Sequence, residues 1–143
     1  MIVKIEERDK HRLLEIWESA VRHTHDFLAE QDFLYFKEHM PLYFGYVQLW
    51  GYRDENGELM GFVGISDDMV EMLFIHQDAR GKGIGKQLLK YVVENYDIKK
   101  VDVNEQNQQA VGFYIHMGFI TQSKSEKDSQ GKDYPLLHMV LKE

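Results

Sequence analysis

The sequence has 143 residues, no cysteine and a formal net charge of −7 at pH 7. This length suits one domain over residues 1–143, and the apolar content is too high for a disordered chain. Disulfides, thiolate metal sites and a cysteine nucleophile are excluded, and the acidic charge disfavours a nucleic-acid partner. Charges follow Met1 too early for a signal peptide, and no apolar run is long enough to span a membrane. We therefore expect a cytoplasmic protein without a membrane partner.

The first half of the chain combines strand patterns with two helical patterns. A helix is predicted from Asp9, where apolar residues begin to recur at helical spacing. A second, aromatic-rich helix is predicted over residues 32–44, with an interruption near Pro41. The polar sequence His-Thr-His-Asp lies between the two helices. The predicted strands of this half are residues 2–6, 47–53, 59–65 and Met69–Ile75.

The second half alternates strands with helices. A helix is predicted after the glycine-rich loop that follows residue 78, and a short strand over residues 100–103. Asn107 is a typical cap for a further helix that ends near Met117, and Gly118 suits the left-handed residue after it. Residues 119–125 and 134–141 are the last predicted strands. The order β-α-α-β-β-β-α-β-α-β-β predicts an α/β sandwich, a mixed sheet with helices on its faces.

The loop before the third helix is cationic and rich in glycine. Glycines at a helix N-terminus let an anion approach unpaired backbone N–H groups, which predicts a phosphate site. The P-loop pattern fails, because Gln87 follows Lys86 where serine or threonine is required. The dinucleotide pattern fails too, because Lys86 stands where the third glycine belongs. The spacing that fits is Arg80-x-x-Gly83-x-Gly85, although a turn that only needs glycine geometry is the alternative.

Two motifs together resemble the GNAT superfamily of N-acetyltransferases. The family's pyrophosphate loop reads Gln/Arg-x-x-Gly-x-Gly/Ala, as residues 80–85 do. Residues 107–119 match its Asn-x-x-Ala-x-x-Phe-Tyr-x-x-x-Gly-Phe segment at every signature position. The resemblance implies the GNAT fold, with a mixed, mostly antiparallel sheet and helices on both faces. Residues 24–28 and 134–137 also resemble a small bacterial group, some of whose members are described as protein-lysine acetyltransferases.

The resemblance also implies where acetyl-CoA binds. Its cleft would open where the strand Met69–Ile75 parts from the strand at residues 100–103, with no metal ion involved. Two simpler interpretations remain. Asn107 can serve only as a helix cap, and the basic side chains of the loop can form only a solvated patch. The implied cofactor-binding residues are Leu73, Phe74, Ile75, Arg80, Gly81, Lys82, Gly83, Ile84, Gly85, Lys86, Asn107 and Tyr114.

Several residues are candidates for the chemistry. Without cysteine, the amine must attack the thioester directly with the help of a base. The resemblance makes Tyr114 the acid for the leaving thiolate and the N–H of Leu73 the donor to the carbonyl oxygen. Glu71 is the first candidate base, and His25 and Asp26, from the loop between the first two helices, are the alternatives. Each has a structural alternative: a core aromatic for Tyr114, a solvated strand residue for Glu71 and a loop bystander for His25.

The sequence therefore predicts an acetyl-CoA-dependent N-acetyltransferase. Its acceptor is a primary amine, either a small molecule or a protein lysine or N-terminus. The alternatives are a non-enzymatic acyl-CoA-binding sensor or interaction module, and a nucleotide-binding protein. The motifs leave open the acceptor, the base and the oligomeric state, although dimers are common in the family.

Overall fold

The computed structural model describes residues 1–142, which form a seven-stranded sheet and four α-helices. This order of elements confirms the predicted α/β sandwich. The strands are β1 Ile2–Lys4, β2 Gln48–Arg53, β3 Leu59–Ser66, β4 Met69–Ile75, β5 Lys100–Asn104, β6 Phe119–Ser125 and β7 Leu136–Leu141. The helices are α1 Lys10–Thr24, α2 Glu30–Phe44, α3 Ile84–Tyr96 and α4 Gln108–His116, and short 3-10 turns lie at Glu7–Asp9 and Gln77–Ala79.

The strands lie in the order β1-β2-β3-β4-β5-β7-β6. Neighbouring strands are antiparallel except β4 and β5, which are parallel. That parallel pair is short, because only Met69 with Lys100 and Val70 with Val101 are in register. Beyond these residues the two strands part, so a gap opens in the middle of the sheet.

Helices cover both faces of the sheet. Leu13, Ile16 and Trp17 recur at helical spacing on α1 and are buried with residues of α2, β3 and β4 on one face. On the other face, Leu88 and Val92 of α3 are fully buried in a second cluster that also contains side chains of β5 and α4. No helix within residues 1–142 is long and apolar enough to cross a membrane.

One detail of the prediction is wrong: α2 continues through Pro41. Proline removes only one helical N–H bond, and Pro41 lies in the last turn of the helix, which ends at Phe44. Buried Met40 and Phe44 anchor this turn in the core, so packing outweighs the missing bond. The last strand also begins two residues later than predicted, because the N–H of Tyr134 bonds to the carbonyl of Lys132 and Pro135 has no N–H to donate.

Candidate functional site

Two cavities lie on either side of β4, next to the gap between β4 and β5. The first, here called the glycine-loop cleft, is enclosed by β4, the loop at residues 80–86 and α4, and its volume is about 430 Å³. The second, here called the aromatic cavity, is enclosed by α1, α2, β4 and the loop between β6 and β7, and its volume is about 530 Å³. Leu73 and Ile75 line the cleft, whereas Met72 and Phe74 line the cavity, as the alternation of a strand requires.

The backbone of the glycine loop is shaped to receive an anion. Gly81 and Gly83 have φ angles of +77° and +78°, in the left-handed region that favours glycine. A Cβ atom at either position would meet nothing within 4 Å, so the backbone angle requires glycine and the space before the loop is open. Gly83 is the N-cap of α3, and the first N–H groups of the helix, from Ile84 to Lys86, have no acceptor within the helix. These groups and the helix dipole favour a negatively charged ligand.

The cationic side chains of the loop are placed unequally. Arg80 and Lys86 line the glycine-loop cleft, whereas Lys82 is exposed outside its lining. Arg80 Nη2 donates a hydrogen bond to Gln109 Oε1 at the start of α4, which links the loop to the opposite wall of the cleft. Sequence reasoning missed Gln109, because it lies between the signature positions of the second motif.

Two predicted residues of α4 line the same cleft. Asn107 caps the helix, since its Oδ1 accepts a hydrogen bond from the N–H of Ala110 at 3.2 Å. Tyr114 is buried between the rings of Phe113 and Phe119, with centroid distances of 5.1 and 5.6 Å. Burial raises the pKa of the Tyr114 hydroxyl well above its ordinary value, so the hydroxyl keeps its proton at neutral pH.

Aromatic side chains from distant parts of the chain form the aromatic cavity. Its walls include Trp17 of α1, Tyr43 of α2 and Phe74 of β4. The loop between β6 and β7 closes one side. There the Tyr134 hydroxyl donates to the Asp32 carboxylate at 2.5 Å, and Lys132 Nζ donates to the same carboxylate at 3.1 Å. Sequence reasoning missed Asp32, because no short motif joins residues a hundred positions apart.

Two of the candidate bases, Glu71 and His25, line the aromatic cavity. Glu71 is exposed where β4 leaves β5. Partial removal from water, and then the negative charges of Asp102 and Asp67, raise the pKa of the Glu71 carboxyl. His25 follows the last turn of α1, and burial lowers its pKa to about 4, against the opposing effect of Asp26. At neutral pH the cavity therefore holds an uncharged imidazole and a carboxylate with enhanced proton affinity.

The end of α1 connects the two cavities. Thr24 lines the glycine-loop cleft, and its Oγ1 lies 2.7 Å from Nδ1 of His25, which lines the aromatic cavity. The structure thus brings Glu71 and His25 together in one cavity, and Tyr114 into the other, next to the same gap. Within residues 1–142, no group of three or more histidine or acidic side chains could hold a metal ion.

A row of three partly exposed polar side chains across β5, β7 and β6 was missed by sequence reasoning. His138 Nδ1 lies 2.7 Å from Asp102 Oδ1, and His138 Nε2 lies 2.6 Å from Ser125 Oγ. These residues, here called the polar row, belong to β5, β7 and β6. Strand register alone brings them together, so no sequence motif marks them.

Comparisons with known proteins agree with this geometry. The sequence profile of an acetyltransferase (GNAT) domain matches residues 17–142. A peptidyl-lysine N-acetyltransferase, YjaB of Salmonella typhimurium, is 38% identical over 129 residues, which cover 90% of this chain and 89% of that protein. The solution structure of apo-form YjaB from Escherichia coli superposes with a TM-score of 0.89 at 34% identity, covering 98% of this chain and 95% of that one.

A more distant structure shares the fold alone. The PaiA N-acetyltransferase from Thermoplasma acidophilum, solved in complex with coenzyme A, has a TM-score of 0.76 at 19% identity. The alignment covers 100% of this chain and 98% of that chain. The arrangement of sheet and helices is therefore that of an acetyltransferase that has been solved with coenzyme A.

Proposed function

The chain belongs to the GNAT family of acetyltransferases, and we propose that it transfers the acetyl group of acetyl-CoA to the side-chain amine of a protein or peptide lysine. The observation that carries this proposal is the pair of cavities beside one gap in the sheet. An anion-binding loop lines one cavity, and a carboxylate with raised proton affinity lines the other. The similarity to a peptidyl-lysine N-acetyltransferase supports lysine as the acceptor.

The residues of the glycine-loop cleft fit acetyl-CoA, which supplies the activated acetyl thioester. The first N–H groups of α3, with Arg80 and Lys86, hold the diphosphate. Within residues 1–142, no strand pairs with β4 along the gap, so on that edge the backbone of Leu73, Phe74 and Ile75 is available to the amides of the pantetheine arm. The open space before Gly81 and Gly83 supports this assignment, since any side chain there would obstruct the diphosphate.

The reacting groups are assigned from their place beside the gap. Glu71 accepts a proton from the lysine ammonium, which leaves a neutral amine that can attack the acetyl carbon. The N–H of Leu73 donates a hydrogen bond to the carbonyl oxygen. As the carbon–sulfur bond breaks, Tyr114 donates its hydroxyl proton to the sulfur and later regains one from solvent. Two protons leave the lysine nitrogen, the first to Glu71 before attack and the second to solvent as the tetrahedral intermediate collapses. One proton reaches the sulfur through Tyr114, so each turnover releases one proton.

Glu71 is a better candidate for the base than His25. Its pKa is raised, so it binds a proton more tightly than an ordinary carboxylate. The pKa of His25 is lowered to about 4, which makes the imidazole a weak proton acceptor. We therefore assign His25 to the wall of the aromatic cavity. Homodimerisation and a cytoplasmic location stay predictions from the sequence.

An acetyl-transfer assay tests the proposal. The protein is incubated with acetyl-CoA and either a lysine peptide or small primary amines, and both free thiol and acetylated product are measured. We expect thiol release that depends on the peptide, with acetate on the lysine side chain by mass spectrometry. Tight binding of coenzyme A without transfer to any acceptor would instead indicate a binding module, and transfer only to small amines would contradict the lysine acceptor.

A further inference from the structure

Two carboxylates face each other where the gap in the sheet begins. The parallel pairing of β4 and β5 ends at Val70 and Val101. Glu71 and Asp102 are the next residues of the two strands, so they lie on opposite sides of the opening. Like charges at such a position repel each other, so the Asp102 carboxylate makes it harder for Glu71 to stay ionised.

Asp102 does not have the freedom of an ordinary surface carboxylate. Its Cα partner across β5 and β7 is His138, and the imidazole Nδ1 lies 2.7 Å from its Oδ1. The other ring nitrogen of His138 lies 2.6 Å from Ser125 Oγ. Because both ring nitrogens have partners, the ring cannot turn away without losing two contacts. The Asp102 carboxylate is thus held at the mouth of the gap.

We propose that Asp102, held in place by His138 and Ser125, is a positioning residue that keeps the Glu71 carboxylate a ready proton acceptor beside the gap. This inference rests on the proposed function, in which Glu71 is the base. Asp102 acts through its negative charge and does not itself touch the acceptor or the acetyl group. His138 acts through Asp102.

The surroundings of Glu71 support this role for Asp102. After partial removal from water, Asp102 is the largest cause of the raised pKa of the Glu71 carboxyl, ahead of Asp67. His25 stays neutral above about pH 4, so it adds no positive charge to offset these carboxylates near neutral pH. The titratable groups of other elements that face Glu71 or line its cavity are Asp67, Asp102, His25, Tyr43, Tyr46, Asp128 and Tyr134.

The direct test is a carboxyl titration by ¹³C NMR on the protein without acetyl-CoA. In Asp102→Asn the pKa of Glu71 should fall by about half a unit, the effect of one nearby charge at an exposed site. The control is Asp97→Asn at the end of α3, where asparagine tolerates the positive φ of 54°. That variant should leave the titration of Glu71 unchanged. An unmoved titration in Asp102→Asn would overturn the proposal.

His138 variants test whether the imidazole acts through Asp102. His138→Ala should lower the pKa of Glu71 by less than Asp102→Asn does, because the freed carboxylate turns towards water. His138→Gln, whose amide can still donate to Asp102, should restore most of the original value. In the Asp102→Asn background, His138→Ala should have no further effect. If His138→Ala lowered the pKa of Glu71 equally with and without the Asp102 carboxylate, the inference that His138 acts through Asp102 would be overturned.

The pH dependence of turnover gives the corresponding activity readout. The acid limb of the kcat/KM profile should move to lower pH by about half a unit in Asp102→Asn, as the base stays ionised further into acid. If no acceptor is ever acetylated, the proposed function fails while the NMR titration still decides the role of Asp102. Acetylated Ser125 after incubation with acetyl-CoA would overturn the inference, because the polar row would then be a nucleophilic triad.

Discussion

The glycine-loop cleft and the aromatic cavity are built in different ways. Apart from Thr24 at the end of α1, the cleft is lined by short, contiguous segments: residues 79–86, the strand β4 and residues 107–117. The aromatic cavity collects side chains from α1, α2, β4 and the loop between β6 and β7. Backbone geometry dominates the first, and long-range side-chain packing dominates the second. Substitutions in the cleft should therefore change the binding of acetyl-CoA, and substitutions in the aromatic cavity should change the binding of the lysine substrate.

The largest expected effect is at the backbone of the cleft. Gly83→Val should weaken the binding of coenzyme A by about a thousandfold, since two charge-assisted hydrogen bonds are worth about 1.5–3 kcal/mol each. Isothermal titration calorimetry measures this affinity. Valine at positive φ also destabilises the fold, so Gly57→Val in the turn between β2 and β3 is the matched control. It has a φ of +80° and should lose stability but keep its affinity. Normal affinity in Gly83→Val would contradict the register of the loop.

The next effect separates chemistry from binding within the cleft. Tyr114→Phe should lower kcat by about a hundredfold, in line with the usual contribution of general acids. The affinity for coenzyme A should stay the same, because the ring and its packing against Phe113 and Phe119 remain. Thiol-release kinetics and calorimetry measure the two quantities, with Tyr52→Phe on β2 as a distant control. Unchanged turnover would remove Tyr114 from the reaction.

A smaller effect is expected at the aromatic cavity. Tyr134→Phe removes the hydroxyl that donates to Asp32 and accepts from the N–H of Ala29. Loosening this wall should raise KM for a lysine peptide about tenfold, equivalent to one lost hydrogen bond of about 1.4 kcal/mol. The affinity for coenzyme A should not change. If Tyr134→Phe weakened only the binding of coenzyme A, the proposal that the aromatic cavity binds the lysine substrate would be wrong.

A separate effect, on stability instead of activity, depends on pH. The unfolded chain protonates His25 near its ordinary pKa of about 6.5, whereas the folded protein does so only near 4. Between these values the unfolded state binds more protons, so the free energy of unfolding falls as the pH falls. His25→Gln should reduce this loss by about 2 kcal/mol between about pH 7 and pH 4.5. Urea unfolding at both pH values measures it, with His11→Gln as a control. If His25→Gln and His11→Gln lost equal stability between the two pH values, His25 would not be the group whose lowered pKa destabilises the folded protein in acid.

The fold could be predicted from the sequence because the patterns that mark its strands, helices and caps are local. The bounds of β4 and β6 were predicted correctly, and Asn107 caps α4 as expected. The register Arg80-x-x-Gly83-x-Gly85 placed the anion loop at the N-terminus of α3, where the structure has it. Pro41 misled the prediction, because propensity does not show that Met40 and Phe44 anchor the same turn.

The polar row shows why the rest of the site could not be predicted. Thr121 pairs with Met139, but Ser123 pairs with His138, because a bulge between them shifts the register. This shift reverses the faces of the later residues of β6 and brings Ser125 towards His138. Without the bulge, alternation would direct Ser125 to the face that α3 and α4 cover. Neither this bulge nor the bond between Tyr134 and Asp32 leaves a pattern in the sequence.

The most direct test of the two-cavity account is a crystal structure with a bisubstrate analogue, a lysine peptide joined through its acetylated side chain to coenzyme A. We expect the diphosphate at the N-terminus of α3, the pantetheine arm in the gap between β4 and β5, and the lysine stem in the aromatic cavity. The joined nitrogen should lie within reach of Glu71, and the sulfur within reach of Tyr114. A lysine that leaves the gap without entering the aromatic cavity, or a sulfur remote from Tyr114, would contradict the account.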